Sequence, residues 1–198
     1  ADNLGDMYAD GLGVTKDEAK ANSWYAKAAQ GYEKSAKQGS SSAMMALGNI
    51  YNDGEGVPQD FAKAMHWYEQ AAQQGDESAM VSLALLYQKG QGVPQDYAKA
   101  RTWFEKAAQQ GNPKAADNLG DMYADGLGVT KDEAKANSWY AKATQSYEKD
   151  ANLGDTSAMV ALASRYKYGT AGTQDYKKSA YWYERAAQYG NPGIQYLA

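Results

Sequence analysis

The chain has 198 residues, 43% of them hydrophobic and 22% charged, which is the composition of a folded chain able to bury a core. A formal net charge of −4 argues against a nucleic-acid partner, because phosphate recognition needs a clustered excess of Lys and Arg. No apolar run reaches the roughly 20 residues that cross a bilayer, so no membrane insertion is predicted. There is no cysteine, so disulfides and thiolate metal sites are excluded. The N-terminus shows no secretory leader, although one could have been removed before residue 1, so the compartment stays open.

One pattern recurs five times along the chain and dominates its organisation. It consists of Leu-(Gly/Ala)-x-x-Tyr, a turn that contains Gly-x-Gly in four of the five copies, and Trp-(Tyr/Phe), with Leu and Trp always 20 residues apart. Successive copies are 43, 36, 36 and 43 residues apart, so the first and fourth repeats carry seven additional residues after their Trp. The anchors are Leu4, Leu47, Leu83, Leu119 and Leu162, with Trp24, Trp67, Trp103, Trp139 and Trp182.

Each repeat predicts two helices. Ala43, Leu47 and Tyr51 follow one another at four-residue steps, and so share one helical face; Ala64 and Tyr68 begin the same pattern further on. The glycines between them can adopt the positive φ that ends a helix and reverses the chain. The second helix is predicted to start at a proline in its first turn or at a capping box, with an acidic residue at its N-terminal end. The prolines are Pro58 and Pro94, the capping boxes are Thr15-x-x-Glu18 and Thr130-x-x-Glu133, and the acidic residues are Asp17, Asp60, Asp96, Asp132 and Asp175.

The aromatic face of one such hairpin is too large to be buried by that hairpin alone, so neighbouring hairpins must stack. Small residues after the Leu are expected to let the helices cross closely; these are Gly48, Ala84, Gly120 and Ala163. Seven residues are about two helical turns, so the additional residues predict a longer second helix in the first and fourth repeats. Gly31 weakens this prediction for the first repeat and leaves a loop open there.

The motifs Ala-x-x-x-Leu-Gly-x-x-Tyr, Gly-x-Gly-Val-x-x-Asp and Lys-Ala-x-x-Trp-Tyr-x-x-Ala-Ala-x-x-Gly resemble the Sel1-like repeat, a relative of the tetratricopeptide repeat. The resemblance covers essentially the whole chain, and is best for residues 43–75 and 79–111. It implies an all-α fold, a right-handed α/α superhelix or solenoid of helix-turn-helix repeats. It also implies bacterial adaptor roles and favours the periplasm or secretion. Residues 169–173 depart from the pattern because their turn is spaced differently.

The domain organisation is predicted to be a single repeat array over residues 1–198. Its repeats are expected at residues 1–38, 39–74, 75–110, 111–153 and 154–189, with a truncated sixth at 190–198, so both ends are expected to be cut from a longer array. Residues 1–30 and 116–145 are identical except that Ala29 corresponds to Thr144. Recent duplication and engineering both account for this identity, and the sequence does not separate them.

Catalytic and metal-binding patterns are weak. His66 is the only histidine and has no second ligand or triad partner in sequence, so a partly exposed structural role is favoured. The segment Gly11-x-Gly-Val-Thr-Lys16 lacks the spacing of a phosphate loop and follows a helix, so a turn is predicted. A hydrolase remains an alternative through the resemblance, but Ser40 to Ser42 have no positioned base. No cofactor is predicted.

Acidic residues recur at four-residue steps on the first helix of repeats one and four, and therefore share a face: Asp2, Asp6 and Asp10, and Asp117, Asp121 and Asp125. Like charges at this spacing repel, which suggests a binding role, although a solvated acidic face is an equal alternative. Calcium is disfavoured because a straight helix does not supply the six to eight oxygens that it needs. Most of the 17 tyrosines follow the repeat period and are assigned to the core, whereas Tyr168 and Tyr189 could contact a partner.

By analogy with tetratricopeptide solenoids, the first helices line a concave groove. Its exposed positions are expected two before the Leu, two after it and one after the Tyr; Ala124 takes the last position in repeat four, and the neighbouring Asp125 is added to the site. The predicted ligand-binding residues are Met45, Asn49, Asn52, Val81, Leu85, Gln88, Asp117, Asp121, Asp125, Val160, Ser164 and Lys167. An apolar groove with acidic neighbours suits a protein or peptide that has an apolar anchor and basic flanks. The predicted function is a protein-interaction scaffold, and an architectural module that self-associates end to end is a further alternative.

Overall fold

The fold, as given by a computed structural model, is described for residues 2–170 and 174–190. Over these residues it consists of helices and turns, and no strand occurs within them. The all-α fold class is thereby confirmed. The helices are α1 (Asp2–Asp10), α2 (Glu18–Lys37), α3 (Ser41–Asp53), α4 (Phe61–Gln73), α5 (Glu77–Lys89), α6 (Tyr97–Gln109), α7 (Pro113–Asp125), α8 (Glu133–Asn152), α9 (Thr156–Tyr168) and α10 (Tyr176–Gly190).

The helices form two compact units, Ala1–Lys106 and Ala107–Ala198, with the boundary inside α6. In the first unit α1 packs against α2 and α3 against α4, while α2 also packs against α3 and α4 against α5. In the second unit α7 packs against α8 and α9 against α10, and α8 packs against α9. Each unit is therefore built from helical hairpins that stack in chain order, as the repeat pattern predicts.

The seven additional residues lengthen the second helix, as predicted. Both α2 and α8 have 20 residues, whereas α4 and α6 have 13. The helix α2 continues through Gly31, so the loop left open for the first repeat does not form. The last turns of α2 are supported by Lys37, whose ammonium group pairs with Glu33 one turn earlier at 2.8 Å.

The start of the second helix differs from the sequence prediction. Helix α4 begins at Phe61, three residues after Pro58, and α2 begins at Glu18 with Asp17 as its N-cap. Neither Pro58 nor the predicted cap Thr15 therefore occupies the first turn, and the corresponding Pro94 and Thr130 lie outside α6 and α8 in the same way. The helix starts at the aspartate because its side chain accepts the backbone N–H of the third helical residue.

Each of these aspartates makes two hydrogen bonds, one across the turn to the first helix and one within the second helix. The backbone N–H of the aspartate donates to the carbonyl of the tyrosine that ends the repeated Leu-(Gly/Ala)-x-x-Tyr motif, at 2.8–2.9 Å in all five repeats. Its carboxylate accepts the N–H of a lysine three residues later, at 2.9–3.0 Å. The same lysine lies over the ring of that tyrosine, with 4.9–5.4 Å between ammonium nitrogen and ring centre. The five are Asp17, Asp60, Asp96, Asp132 and Asp175.

The capping bonds predict a pH dependence of stability. The backbone N–H of Lys63, and then its side chain, lower the pKa of Asp60 below the ordinary value of 3.8, and the pKa values of Asp17 and Asp132 are lowered in the same way. A lowered pKa in the folded state gives stability that is present above the ordinary pKa and is lost as the pH falls through the folded pKa.

We expect replacement of all three aspartates by Asn to change stability little at neutral pH, because Asn also caps helices and Asn112 caps α7 in this chain. Below about pH 4 the variant should lose stability less steeply than the wild type, because its caps do not titrate. Urea unfolding followed by circular dichroism across this pH range measures both effects. The prediction would be contradicted if the free energy of unfolding fell equally steeply with decreasing pH in the two proteins.

The small residue after the Leu allows close helix crossing in the glycine repeats. A Cβ atom added to Gly48 would lie 2.3 Å from Cε1 of Tyr68, and one added to Gly120 would lie 2.4 Å from Cε1 of Tyr140. The tyrosine ring of the second helix therefore lies directly on the backbone of the first. This confirms the close crossing predicted for these glycines.

Candidate functional site

The predicted interaction residues lie on the first helices of the hairpins, and neighbouring first helices touch within each unit. In the first unit Ser41 of α3 donates its hydroxyl to Asp76, the N-cap of α5, at 3.3 Å. In the second unit Arg165 of α9 binds Asp117 of α7. In each unit, two adjacent first helices are thus joined by a side-chain contact.

The residue two positions after the Leu hydrogen-bonds to an aromatic residue of the second helix. The hydroxyl of Tyr68 donates to Asn49 at 2.8 Å, and that of Tyr140 donates to Asp121 at 2.6 Å. The same pair recurs as Tyr25 with Asp6 at 2.8 Å and Tyr183 with Ser164 at 3.1 Å. Burial and the bond to Asp121 raise the pKa of Tyr140, so its hydroxyl stays protonated as a donor. These surface residues therefore also hold their own hairpin together.

Repeat three replaces both members of this pair. Phe104 stands where the other repeats have Tyr, and Leu85 stands where they have Asp, Asn or Ser. Phe104 is fully buried and Leu85 half-buried. The hydroxyl and its acceptor are lost together, so neither polar group is left without its partner. The apolar residue predicted for the middle of the groove is thus explained by the hairpin's own packing.

The position two before the Leu varies most in exposure. Val160 is 45% exposed and Met45 is half-buried. The exposure predicted for Val81 is wrong, because only 8% of its surface is accessible. Asp117 is also not an open groove residue, since its side chain is 26% exposed and paired with Arg165. Only Val160 offers a well-exposed apolar side chain at this position.

The position after the Tyr lies where the first helix ends. The backbone carbonyls of Asn52, Gln88 and Lys167 accept side-chain amides seven residues later, from Gln59, Gln95 and Gln174, at 2.7–3.1 Å. These bonds satisfy helix-end carbonyls and support the turn.

The side chains at this end of the first helices differ in exposure. Asn52, Gln88 and Ala124 are half-buried, while Lys167 and Asp125 are exposed. The exposed charges on this face of the second unit include Asp121, Asp125 and Lys167, and Lys114 lies on the same side of α7, two helical turns before Asp121.

A buried arginine, Arg165, joins the hairpins of the second unit. It is 8% exposed and uses all three guanidinium nitrogens: Nη1 binds Asp117 at 2.5 Å, Nη2 binds the Tyr140 carbonyl at 2.8 Å and Nε binds the Thr144 hydroxyl at 3.0 Å. Its guanidinium carbon also lies 5.8 Å from the ring centre of Tyr147. Burial raises the pKa of Asp117, while the positive charge of Arg165 opposes the shift.

Arg165 was not among the residues predicted from the sequence, although a signal for it was present. It stands three residues after the Leu, where the other four repeats carry the apolar residues Met7, Ile50, Leu86 and Met122. A charged residue at a position that is otherwise apolar requires a buried partner. The acidic residue Asp117, at a position that holds Met or Val in repeats two, three and five, is that partner. Two departures from the repeat consensus thus form one ion pair.

An apolar groove borders Val160 between α9 and α10. Its volume is about 530 Å³, and its lining is mainly apolar. The residues that line it are Thr156, Ser157, Val160, Tyr183, Ala186 and Ala187. In repeat two the corresponding aromatic and alanines, Tyr68, Ala71 and Ala72, are buried, and α5 packs against their helix. The chain thus offers, in the second unit, a concave apolar surface that includes one predicted site residue.

The remaining candidate residues have ordinary structural surroundings. His66 is exposed and its ring meets Trp67 edge-on at 5.1 Å. Ser40 caps α3 and shares a hydrogen bond with Ser42 at 3.1 Å. Tyr168 and Tyr189 are exposed, as a partner contact requires. Within residues 2–170 and 174–190, no three His, Asp or Glu side chains are placed to hold a metal ion. In the same part of the chain no helix is both long and apolar enough to cross a membrane.

The stacked hairpins define the class of helical-hairpin repeat proteins, and comparison with known families narrows the class. The family model described as Sel1 repeat matches residues 1–31, 41–76, 77–112, 113–146 and 156–191. The chain belongs to the Sel1 repeat family, whose α-solenoid repeats commonly serve as scaffolds for protein–protein interaction. No curated protein matches the chain.

Solved structures of the same fold include a Sel1 repeat protein from Oxalobacter formigenes. It is 34% identical, with 96% of this chain and 72% of that chain covered and a TM-score of 0.62. A protective antigen of uropathogenic Escherichia coli with an SLR fold is also 34% identical. The match covers 98% of this chain and 46% of that chain, with a TM-score of 0.58. The immunity protein PA5088 of Pseudomonas aeruginosa shares the fold at 21% identity, 96% and 66% coverage and a TM-score of 0.52.

Proposed function

We propose that the chain is a scaffold that binds an extended or helical peptide segment of another protein on the first-helix face of its second unit, formed by α7 and α9. The preferred segment has an apolar anchor residue flanked by Lys or Arg. The observation that carries this proposal is the apolar groove at Val160, and α7 of the same unit adds the exposed carboxylates of Asp121 and Asp125. Apolar burial would supply affinity, and charge would supply orientation.

The acidic part of this surface is provided by α7. Asp121 and Asp125 are exposed, one helical turn apart. The carboxylate of Asp121 is held in place by the hydroxyl of Tyr140, so little side-chain entropy is lost when a basic group binds it. The position of Asp121 corresponds in α9 to Ser164, one turn from Val160. Basic residues on one side of an apolar anchor would therefore meet the acidic side chains.

The apolar part is provided by α9 and α10. Val160 and Tyr183 are both partly exposed, and Ala186 and Ala187 leave room between the helices. A groove of about 530 Å³ accommodates one large apolar side chain with its neighbours. An exposed valine and tyrosine beside small residues are typical of a pocket that receives an anchor residue.

The proposal predicts the outcome of a peptide selection on the purified chain. A random peptide library should be enriched in sequences with an aromatic or aliphatic residue next to Lys or Arg. Fluorescence anisotropy of the enriched peptides should show at least a tenfold loss of affinity for the variant Asp121→Lys/Asp125→Lys/Val160→Glu, because like charges then meet and the groove becomes polar. Affinity for the wild type should also fall with added salt.

A matched control is available on the second helix of the same hairpin. Glu133→Lys/Ala141→Lys changes two exposed residues of α8 and alters the net charge by the same amount. It should retain peptide binding, and circular dichroism should show equal helicity for all three proteins. Equal loss in both variants, or enrichment of acidic peptides, would contradict the proposed site.

A further inference from the structure

Two hairpins of the chain are almost the same sequence, yet each is followed by a different helix. Residues 1–30, which include α1 and most of α2, differ from residues 116–145 only in having Ala29 where the second copy has Thr144. The first copy packs against α3 and the second against α9. The single difference within these segments lies in the second helix of each hairpin, the helix that meets its successor. Beyond the segments, the last turns of α2 and α8 also differ, with Gly31, Ser35 and Lys37 in place of Ser146, Asp150 and Asn152.

Thr144 directly contacts the helix that follows its hairpin. Its hydroxyl accepts the Nε–H of Arg165 at 3.0 Å and donates to the Tyr140 carbonyl at 2.9 Å. Arg165 belongs to α9, so the one residue that differs between the two near-identical segments bonds to the successor helix. In the first copy the position of Arg165 is taken by Ile50 of α3, which is buried, as is Ala29. An alanine and an isoleucine need no hydrogen bond. Each junction therefore pairs residues of like character, polar Thr144 with Arg165 and apolar Ala29 with Ile50.

The other residues that bind Arg165 do not distinguish the two hairpins. Asp117, Tyr140 and Tyr147 correspond in the first hairpin to Asp2, Tyr25 and Tyr32, which are the same residue types. Ala29 alone removes an acceptor. An arginine packed against the first hairpin would keep its buried Nε donor without a bond, which is costly. Isoleucine against Thr144 costs less, since the threonine hydroxyl remains bonded to its own helix.

We propose that Ala29 and Thr144 are selectivity determinants that assign each of the near-identical hairpins its own successor. Thr144 makes the second hairpin the binding site for the arginine-bearing α9. Ala29 makes the first hairpin a poor site for α9 and a good one for α3. The determinant acts against exchange of α3 and α9 between the hairpins, both within one chain and between two copies during folding.

Transplanting the arginine into the first junction tests this proposal. Ile50→Arg should reduce the hydrogen-exchange protection of α2 and α3 strongly, and adding Ala29→Thr should restore about tenfold of the lost protection. Ala29→Thr alone is the control for the effect of threonine at that site. Exchange measured helix by helix reports local stability without requiring the chain to unfold as one unit.

A second cycle keeps the test decisive if Ile50→Arg prevents folding. Thr144→Val preserves shape but removes the acceptor, and should lower the protection of α8 and α9 about tenfold when Arg165 is present. In a chain carrying Asp117→Val/Arg165→Ile, which removes the ion pair without leaving an unpaired carboxylate, the same substitution should have little effect. The proposal would be overturned if the effects were additive in both cycles, that is, if threonine changed the hydrogen-exchange protection by the same factor whether arginine or isoleucine stands at the facing position.

Discussion

Gly56→Ala is expected to destabilise the first unit by about 3–5 kcal/mol, far more than a single methyl group suggests. Gly56 has a φ of 70°, which disfavours any side chain. A Cβ atom at this position would also lie 2.5 Å from the backbone nitrogen of Ala26 and 2.6 Å from the carbonyl oxygen of Asn22. Both are backbone atoms of α2, so a rotamer change cannot relieve the clash. The hairpins would have to separate.

Gly39→Ala separates the two contributions to this loss. Gly39 also has a positive φ, of 92°, but a Cβ atom there would meet no atom within 4 Å. It should therefore cost only the backbone strain, about 1 kcal/mol. Urea unfolding of both variants, followed by circular dichroism, measures the difference. Equal losses would show that the close approach of the turn to α2 contributes nothing.

The close approach explains why the turn between helices contains a second glycine. The first glycine, Gly54, ends α3 in the left-handed conformation, which is a local requirement. Gly56 instead packs on the preceding hairpin, and Gly92 does the same, since a Cβ there would lie 2.8 Å from Cβ of Phe61. The Gly-x-Gly motif therefore combines a helix stop with a contact between repeats.

Features that repeat along the chain could be predicted from the sequence. The hairpins, their order and the longer second helices all follow from periodicity, because each depends on residues within one repeat. The helix starts could not be placed by the same means. The proline and capping-box signals near Pro58 and Thr15 point to an earlier start, whereas the carboxylate of Asp60 caps the helix at Lys63 and the backbone N–H of Asp60 is bonded to Tyr51 across the turn. The sequence therefore predicts that the aspartate lies at the N-terminal end of the second helix, but it does not predict which residue begins that helix.

The sequence predicts which helix positions form the candidate surface, but it does not predict how exposed each side chain is. The sequence correctly places Asp121, Asn49 and Lys167 at the surface of the first helices. It fails for Val81, which is buried, and for Asp117, whose burial depends on a residue that is distant in sequence. Asp117 is covered by Arg165, 48 residues away, and only the joint departure of both positions from the repeat consensus reveals the pair.

The second large effect is expected at this ion pair. Arg165→Met should destabilise the second unit by about 3–5 kcal/mol, because it leaves the carboxylate of Asp117 in a largely desolvated site without its partner. The Thr144 hydroxyl and the Tyr140 carbonyl also lose a donor each. Methionine itself is not disfavoured there, since Met122 occupies the equivalent position in α7 and is fully buried.

The double variant Asp117→Val/Arg165→Met should recover most of this stability. Valine already stands at the position of Asp117 in repeats three and five, so both new residues are ones that the repeat accepts. Replacing both members of a buried ion pair by apolar residues is often neutral, whereas removing one is costly. Urea unfolding of the wild type, the single variants and the double variant measures the coupling. If Arg165→Met alone costs under about 1 kcal/mol, the pair is an ordinary surface salt bridge and its burial carries no energetic weight.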